Sequence, residues 1–256
     1  DDPDQLFSET GGFEHIFLQT DKGQIHGVVA GQGDTMLVFI HGSPGSWYDF
    51  TSFAQHYNLD SHYRLLFVSR PGFGPSSHPH NGSLLDQAYW INHLAEREAL
   101  SKNIETTFLF GHSYGGPVAM KLAVLNPSFV DGLVLAAPTI SQPMQTPRWY
   151  NYVAAYPPVN WILGEWLINS NREMIMLHKS ELRPMEEEWS IFTGPIIYIQ
   201  GDKDVLVPAS SLDYFKDRCS NCDLITITDS SMNHFIPWSH PQYLRQALDS
   251  LSDQER

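Results

Sequence analysis

Three features of the sequence predict an α/β fold, a doubly wound and mostly parallel sheet with an inserted helical cap. Short runs of β-forming residues alternate with helical patterns along most of the chain, as crossover-connected parallel strands require. Several of these runs are continuously apolar, as strands covered on both faces are. Between residues 139 and 194 the alternation stops, and prolines, aromatics and helical patches replace it.

Residues 1–12 are acidic and end in glycines, and read as an arm over the surface. Phe13–Thr20 and Gln24–Ala30 alternate in strand fashion around Asp21-Lys22-Gly23, a hairpin signal. Met36–Ile40 and Arg64–Val68 read as buried strands. The first runs into His41-Gly42-Ser43-Pro44-Gly45, with a helix starting near Ser46; the second runs into the loop 69–76. A helix is expected from Ser83 to Ser101, with His78 and His80 solvated in the loop before it. Thr107–Phe110 is a strand that turns at Gly111-His112-Ser113-Tyr114-Gly115 straight into a helical pattern at Val118, Ala119, Leu122, Ala123 and Leu125. Val130–Ala137 is the next strand. The 139–194 stretch carries helical patches at 159–171 and 174–182 and no obvious strand. Strands resume at Pro195–Gln200 and Leu224–Thr228, with helices near 209–218 and 241–251. The organisation predicted is a core of residues 1–138 and 195–256, with 139–194 inserted as a helical lid.

Composition narrows the class. The 256 residues are 42% hydrophobic, enough for one α/β domain with an insertion. The net charge of -14 argues against a nucleic-acid partner. No apolar run reaches roughly 18 residues, so no integral membrane span is expected. The start at Asp1, with neither Met nor an apolar leader core, reads as a trimmed product, cytoplasmic or exported. Cys219 and Cys222 stand in C-x-x-C spacing without a second pair, so a local disulfide or two idle thiols is expected rather than a redox or zinc site.

A serine on a strained strand-to-helix turn needs small neighbours, which Gly111 and Gly115 supply, and it lies beside unpaired helix N–H groups. At its ordinary pKa it is a weak nucleophile and needs a base held by an acid. Ser113, Asp204 and His234 each directly follow a predicted strand, where doubly wound sheets place their working groups. Asp202 precedes Asp204 by two residues and is expected to satisfy turn N–H groups instead. The oxyanion donors expected are the N–H groups of Tyr114 and Ser43. His41 and His112 are expected to brace the two loops. Trp47, Trp149, Trp161 and Trp166 are expected to contact substrate. No metal or other cofactor is expected, since no ligand spacing such as H-E-x-x-H occurs.

The chain resembles the α/β-hydrolase superfamily, in the branch with a short helical cap, over residues 13–252. The resemblance rests on HGSPG (41–45), SRPGFGPSS (69–77), GHSYGG (111–116), GDKDVLVP (201–208) and NHF (233–235). The family position within GDKD selects Asp204. Many members begin the 69–74 loop with Asp where this chain has Ser69. A serine at the elbow removes epoxide hydrolases and haloalkane dehalogenases, which need a carboxylate there. The resemblance implies a carboxylesterase-like enzyme acting on small to medium esters, as monomer or homodimer. C–C hydrolases usually carry Asn before the serine, and proline iminopeptidases a Gly-Ser-Trp elbow. Lactonases, perhydrolases and a slow-turnover ligand receptor on the same fold are the remaining alternatives.

Overall fold

The computed structural model describes residues 6–7 and 11–254. Its frame is one eight-stranded sheet: β1 (Phe13–Gln19), β2 (Gln24–Ala30), β3 (Thr35–Ile40), β4 (Arg64–Ser69), β5 (Thr106–His112), β6 (Gly132–Ala136), β7 (Ile196–Gly201) and β8 (Leu224–Asp229). The spatial order is β1-β2-β4-β3-β5-β6-β7-β8. The pairs β1–β2 and β2–β4 are antiparallel and the other five are parallel.

The helices are α1 (Thr51–His56), α2 (Leu84–Lys102), α3 (Gly115–Leu125), α4 (Trp149–Ala154), α5 (Val159–Ile162), α6 (Glu165–Met176), α7 (Leu182–Glu186), α8 (Ser210–Arg218), α9 (Ile236–Ser239) and α10 (Pro241–Gln254). The central strands carry apolar side chains in both directions because both faces are covered. Along β3, Met36, Val38 and Ile40 pack with α2 and α3, while Leu37 and Phe39 pack with α1 and α10. Helix α2 starts where the Ser83 side chain accepts the Asp86 N–H at 3.3 Å, and stops at Asn103, which is left-handed at φ 54°.

Four local expectations need correction. Of the 1–12 arm, Leu6 and Phe7 are buried, with Phe7 stacked on Phe67 at 5.8 Å, because apolar side chains at the sheet face outweigh the acidic character around them. The remainder of that arm, apart from residues 11–12, lies outside the described residues. His78 and His80 are buried rather than solvated. His78 Nδ1 bonds Thr20 Oγ1 at 2.9 Å, and His80 Nε2 lies 3.4 Å from Glu173. The expected helix 159–171 breaks at Leu163, which is extended, and Gly164 opens α6. Helix α6 then passes through a π-helical turn (Leu177–Glu181) into α7, so the expected patch at 174–182 is its continuation.

Among the described residues, 139–194 contains helices and turns only. Cys219 and Cys222 are joined as a disulfide at the C-terminal end of α8. Among the described residues no helix is long and apolar enough to cross a membrane.

Candidate active site

The elbow between β5 and α3 follows from its glycines. Ser113 sits at φ 53°, a left-handed conformation unfavourable for a side chain. Three backbone bonds hold it there: its N–H donates to the Ala136 carbonyl at 3.0 Å, and its carbonyl accepts from Gly116 at 3.0 Å and Thr139 at 3.1 Å. A Cβ at Gly111 would stand 2.5 Å from the Gly115 carbonyl oxygen, and one at Gly115 would strike the Ile40 carbonyl. The turn therefore closes only with glycine at both positions.

The three residues expected from separate strand ends meet at this turn. Ser113 Oγ lies 3.0 Å from His234 Nε2, and His234 Nδ1 lies 2.8 Å from Asp204 Oδ2. All three are buried. With the carboxylate as acceptor, Nδ1 carries the ring proton and Nε2 is left to accept from the serine hydroxyl. The other oxygen of Asp204 accepts the N–H groups of Leu206 and Val207 at 2.9 and 2.8 Å. The turn-capping expected of Asp202 is thus performed by Asp204, while Asp202 is exposed.

His112 and His41 brace the loops as expected. His112 Nε2 donates to the His234 carbonyl at 2.8 Å, and burial with His234 alongside pushes its pKa down to about 3. His41 accepts the Arg70 N–H through Nε2 at 3.1 Å, and its Nδ1 bonds the Gly42 carbonyl at 2.8 Å. Burial, followed by the nearby guanidinium, holds its pKa well below 6.5. Loop 69–76, which lacks the family's Asp, is anchored by Ser69 Oγ to His26 Nδ1 at 2.8 Å and by Ser76 Oγ to the Ser69 carbonyl at 2.6 Å.

Gly42 backs directly onto Ser113, since a Cβ there would stand 3.1 Å from the serine Cβ. The next N–H along the loop, that of Ser43, and the N–H of Tyr114 are taken by no acceptor among the described residues. The Ser43 hydroxyl bonds Ser170 of α6 at 2.8 Å.

A cavity of about 690 Å³ opens over Ser113 and His234. Its far wall is the insertion, with Tyr150, Leu163, Leu167, Ser170 and Met174, and its rim carries Leu206, Phe235 and Trp238. The four tryptophans expected at substrate are absent from this wall. Trp47 packs edge-on to His15 at 5.7 Å, against the β1–β2 hairpin. Trp149, Trp161 and Trp166 are 76%, 76% and 51% exposed, on the outer side of α4–α6. Helical phase explains the error: on α4, Tyr150, Asn151 and Ala154 line the cavity, and Trp149 falls on the opposite side. Trp238, four residues after His234, was missed; no periodic pattern marks so short a helix. Among the described residues no group of three or more His, Cys, Asp or Glu side chains is placed to share a metal ion.

Comparison with known proteins bears on this fold. A family model described as the alpha/beta hydrolase fold matches residues 35–161. The chain has the α/β-hydrolase fold. A curated Pseudomonas sp. protein, a 2-hydroxy-6-oxononadienedioate/2-hydroxy-6-oxononatrienedioate hydrolase, is 34% identical over 131 residues, covering 46% of this chain and 43% of the relative. A pimeloyl-[acyl-carrier protein] methyl ester esterase of Yersinia pestis is 32% identical over 128 residues, covering 49% and 43%. These matches span less than half the length of the relatives. Among solved structures, an E-2-(acetamidomethylene)succinate hydrolase superposes with TM-score 0.70 at 17% identity, over 94% of this chain and 99% of that one. Cfl2 of Burkholderia cenocepacia superposes with TM-score 0.70 at 20% identity, over 93% and 95%. At such identities they speak to the fold alone.

Proposed function

We propose that this α/β-hydrolase-fold protein is a serine hydrolase that cleaves carboxylic esters of small to medium apolar substrates. The observation that carries the proposal is the chain of contacts from Asp204 through His234 to Ser113, at 2.8 and 3.0 Å, on the floor of a cavity beside two unclaimed N–H groups.

In this reading Ser113 Oγ attacks the ester carbonyl carbon and its proton passes to His234 Nε2. Asp204 holds the imidazolium that forms. The carbonyl oxygen gains the negative charge and is met by the N–H groups of Ser43 and Tyr114. When the tetrahedral species collapses, His234 returns the proton to the departing alkoxide, leaving an acyl-serine. Water repeats the sequence: His234 takes its proton, the hydroxide oxygen bonds the acyl carbon, and the carboxylic acid leaves as Ser113 is reprotonated.

The insertion 139–194 acts as the cap of this site, since its residues form the far wall of the cavity. Leu163, Leu167, Met174, Phe235 and Trp238 suit an apolar acyl or alcohol group, and the volume suits one small molecule. The 32% identical methyl ester esterase supports the ester reading. A second reading, hydrolysis of a carbon–carbon bond, draws its support from the 34% identical Pseudomonas relative.

A panel of p-nitrophenyl esters, lactones, aminoacyl amides and 2-hydroxy-6-oxodienoates separates these readings. The highest kcat/KM is expected on short to medium esters, with a burst of acyl-enzyme. Preference for the dienoates would replace the ester reading. Tight ligand retention without turnover on any class would turn both into a binding protein.

A further inference from the structure

Arg70, the first residue after β4, is fully buried, and all five of its guanidinium N–H groups have acceptors. Nε donates to the His41 carbonyl at 3.1 Å, and Nη2 to the Gly42 carbonyl at 2.8 Å. Nη1 donates to Gln87 at 2.7 Å. The two remaining donors form a bidentate pair with Glu173 of α6 at 2.7 and 2.9 Å. The guanidinium plane lies over the rings of Phe73 and Tyr114, 4.5 and 4.7 Å from their centroids.

These contacts reach both proposed oxyanion donors. The Gly42 carbonyl and the Ser43 N–H belong to one planar peptide unit, and in a trans unit they point in opposite directions. Drawing the carbonyl toward Arg70 therefore aims the Ser43 N–H away from it. The second donor belongs to Tyr114, whose ring lies beneath the guanidinium. Helix α6 is pinned to the same loops by further polar contacts. Asn169 donates to the Gly72 carbonyl at 2.9 Å, Arg172 to the His80 carbonyl at 2.9 Å, and Ser170 accepts from Ser43 at 2.8 Å. Burial pushes the Glu173 carboxyl up and Arg70 draws it back, so the cap helix and the guanidinium neutralise one another across this junction.

We propose that Arg70 is a positioning residue that sets both oxyanion donors and ties their alignment to the seating of α6 through Glu173. This inference rests on the serine-hydrolase reading above. It makes the α6 wall of the cavity a fixed part of the reaction site rather than a freely swinging lid. A lysine cannot substitute, because three donors on a point cation cannot serve five acceptors arranged around a plane.

The test compares wild-type protein with Arg70→Met/Glu173→Met, which removes the pair without stranding a buried charge, and with Arg70→Lys. Active sites are counted by exhaustive labelling with a fluorophosphonate. In the double variant and in Arg70→Lys, kcat per labelled site is expected to fall on the order of 10- to 100-fold, short of deleting a donor outright. KM should stay within about threefold, and affinity for a trifluoromethyl ketone analogue should fall in step with kcat. Unchanged kcat per site in a folded variant, or a loss confined to the number of labelled sites, overturns the proposal. If the double variant does not fold, Arg70→Lys is read by the same criteria. If neither is recovered folded, Ser170→Ala decides, since it cuts a weaker tie of the same junction: kcat per site should fall a few-fold at unchanged KM, and no change overturns the coupling. A wild-type protein that neither turns over esters nor labels at Ser113 fails the serine-hydrolase reading instead, before any variant is measured.

Discussion

His112 Nε2 donates to the main-chain carbonyl of His234 at 2.8 Å, so the residue before the elbow serine holds the backbone of the histidine that meets that serine. The bond spans the sheet from the end of β5 to the segment after β8. It needs a proton on Nε2, and burial keeps the ring neutral by pushing the pKa down to about 3. His112→Ala removes the donor and leaves a buried carbonyl unpaired, which costs about 1–3 kcal/mol. Ester kcat is expected to fall roughly tenfold or more, because His234 loses its register, while Ser113 still labels slowly. Wild-type kcat in a folded His112→Ala protein would show that the bond holds nothing the reaction uses.

Asp204 and Asp202 part company in the structure. Asp204 bonds His234 and caps its own turn, whereas Asp202 faces solvent. Asp204→Asn should lower kcat by roughly 10³–10⁴-fold, as a mismatched tautomer does. It should also lower stability, since the same side chain takes the Leu206 and Val207 N–H groups. Asp202→Asn should leave kcat and melting temperature close to wild type. The reverse pattern in kcat would move the acid to Asp202.

Acid should destabilise the fold before any carboxylate reaches its ordinary pKa. Folding lowers His26 to about 4, His80 and His112 to about 3, and His41 well below 6.5, each chiefly through burial. Below pH 6.5 the unfolded chain binds protons that the folded chain refuses, so stability present above that pH is lost as pH falls. Asp49, pushed up to about 6 by burial, has the opposite sign and relieves part of the loss, as do Glu173 and Asp131, which burial also raises. With four histidines against them, the melting temperature is expected to drop between pH 7 and pH 5. A melting temperature that holds or rises across that interval would contradict the buried, neutral histidines.

The tryptophans of the cap and the rim should behave differently. Trp161 is exposed on the outer side of the insertion, and Trp161→Ala should leave KM for p-nitrophenyl esters unchanged. Trp238 lines the cavity and stands edge-on to His112 at 5.5 Å, so Trp238→Ala should change the acyl-length preference. A large KM effect at Trp161 with none at Trp238 would reverse which face of the insertion meets substrate.

How much of this was legible in the sequence depends on the range of the interaction. The strands were, because runs such as Leu37–Ile40 and Leu65–Val68 are apolar in both directions and only a sheet covered on both faces buries them. The elbow was, because a left-handed serine between two crowded positions demands glycine at both. The meeting of Ser113, Asp204 and His234 was legible through strand-end placement. The side of the insertion was not: α4 and α5 are six and four residues long, too short for a periodic stripe to tell the cavity face from the solvent face. Arg70 and Glu173 were not either. They stand 103 positions apart in the chain, and nothing near either residue announces a buried charge awaiting its partner. The burial of His80 followed from that same junction, where Glu173 and Arg172 of α6 close over it, whereas His78 is buried between Thr20 of the β1–β2 hairpin and Trp90 of α2.

The central claim is that Ser113 is the nucleophile of an ester-cleaving site, and covalent labelling tests it most directly. Wild-type protein treated with a fluorophosphonate and analysed by peptide mass spectrometry is expected to carry one adduct, on Ser113, with ester turnover lost in proportion to labelling. Ser113→Ala should take up no probe and retain less than about 10⁻⁴ of wild-type kcat. An adduct on a different serine, or ester turnover that survives in Ser113→Ala, would contradict the account.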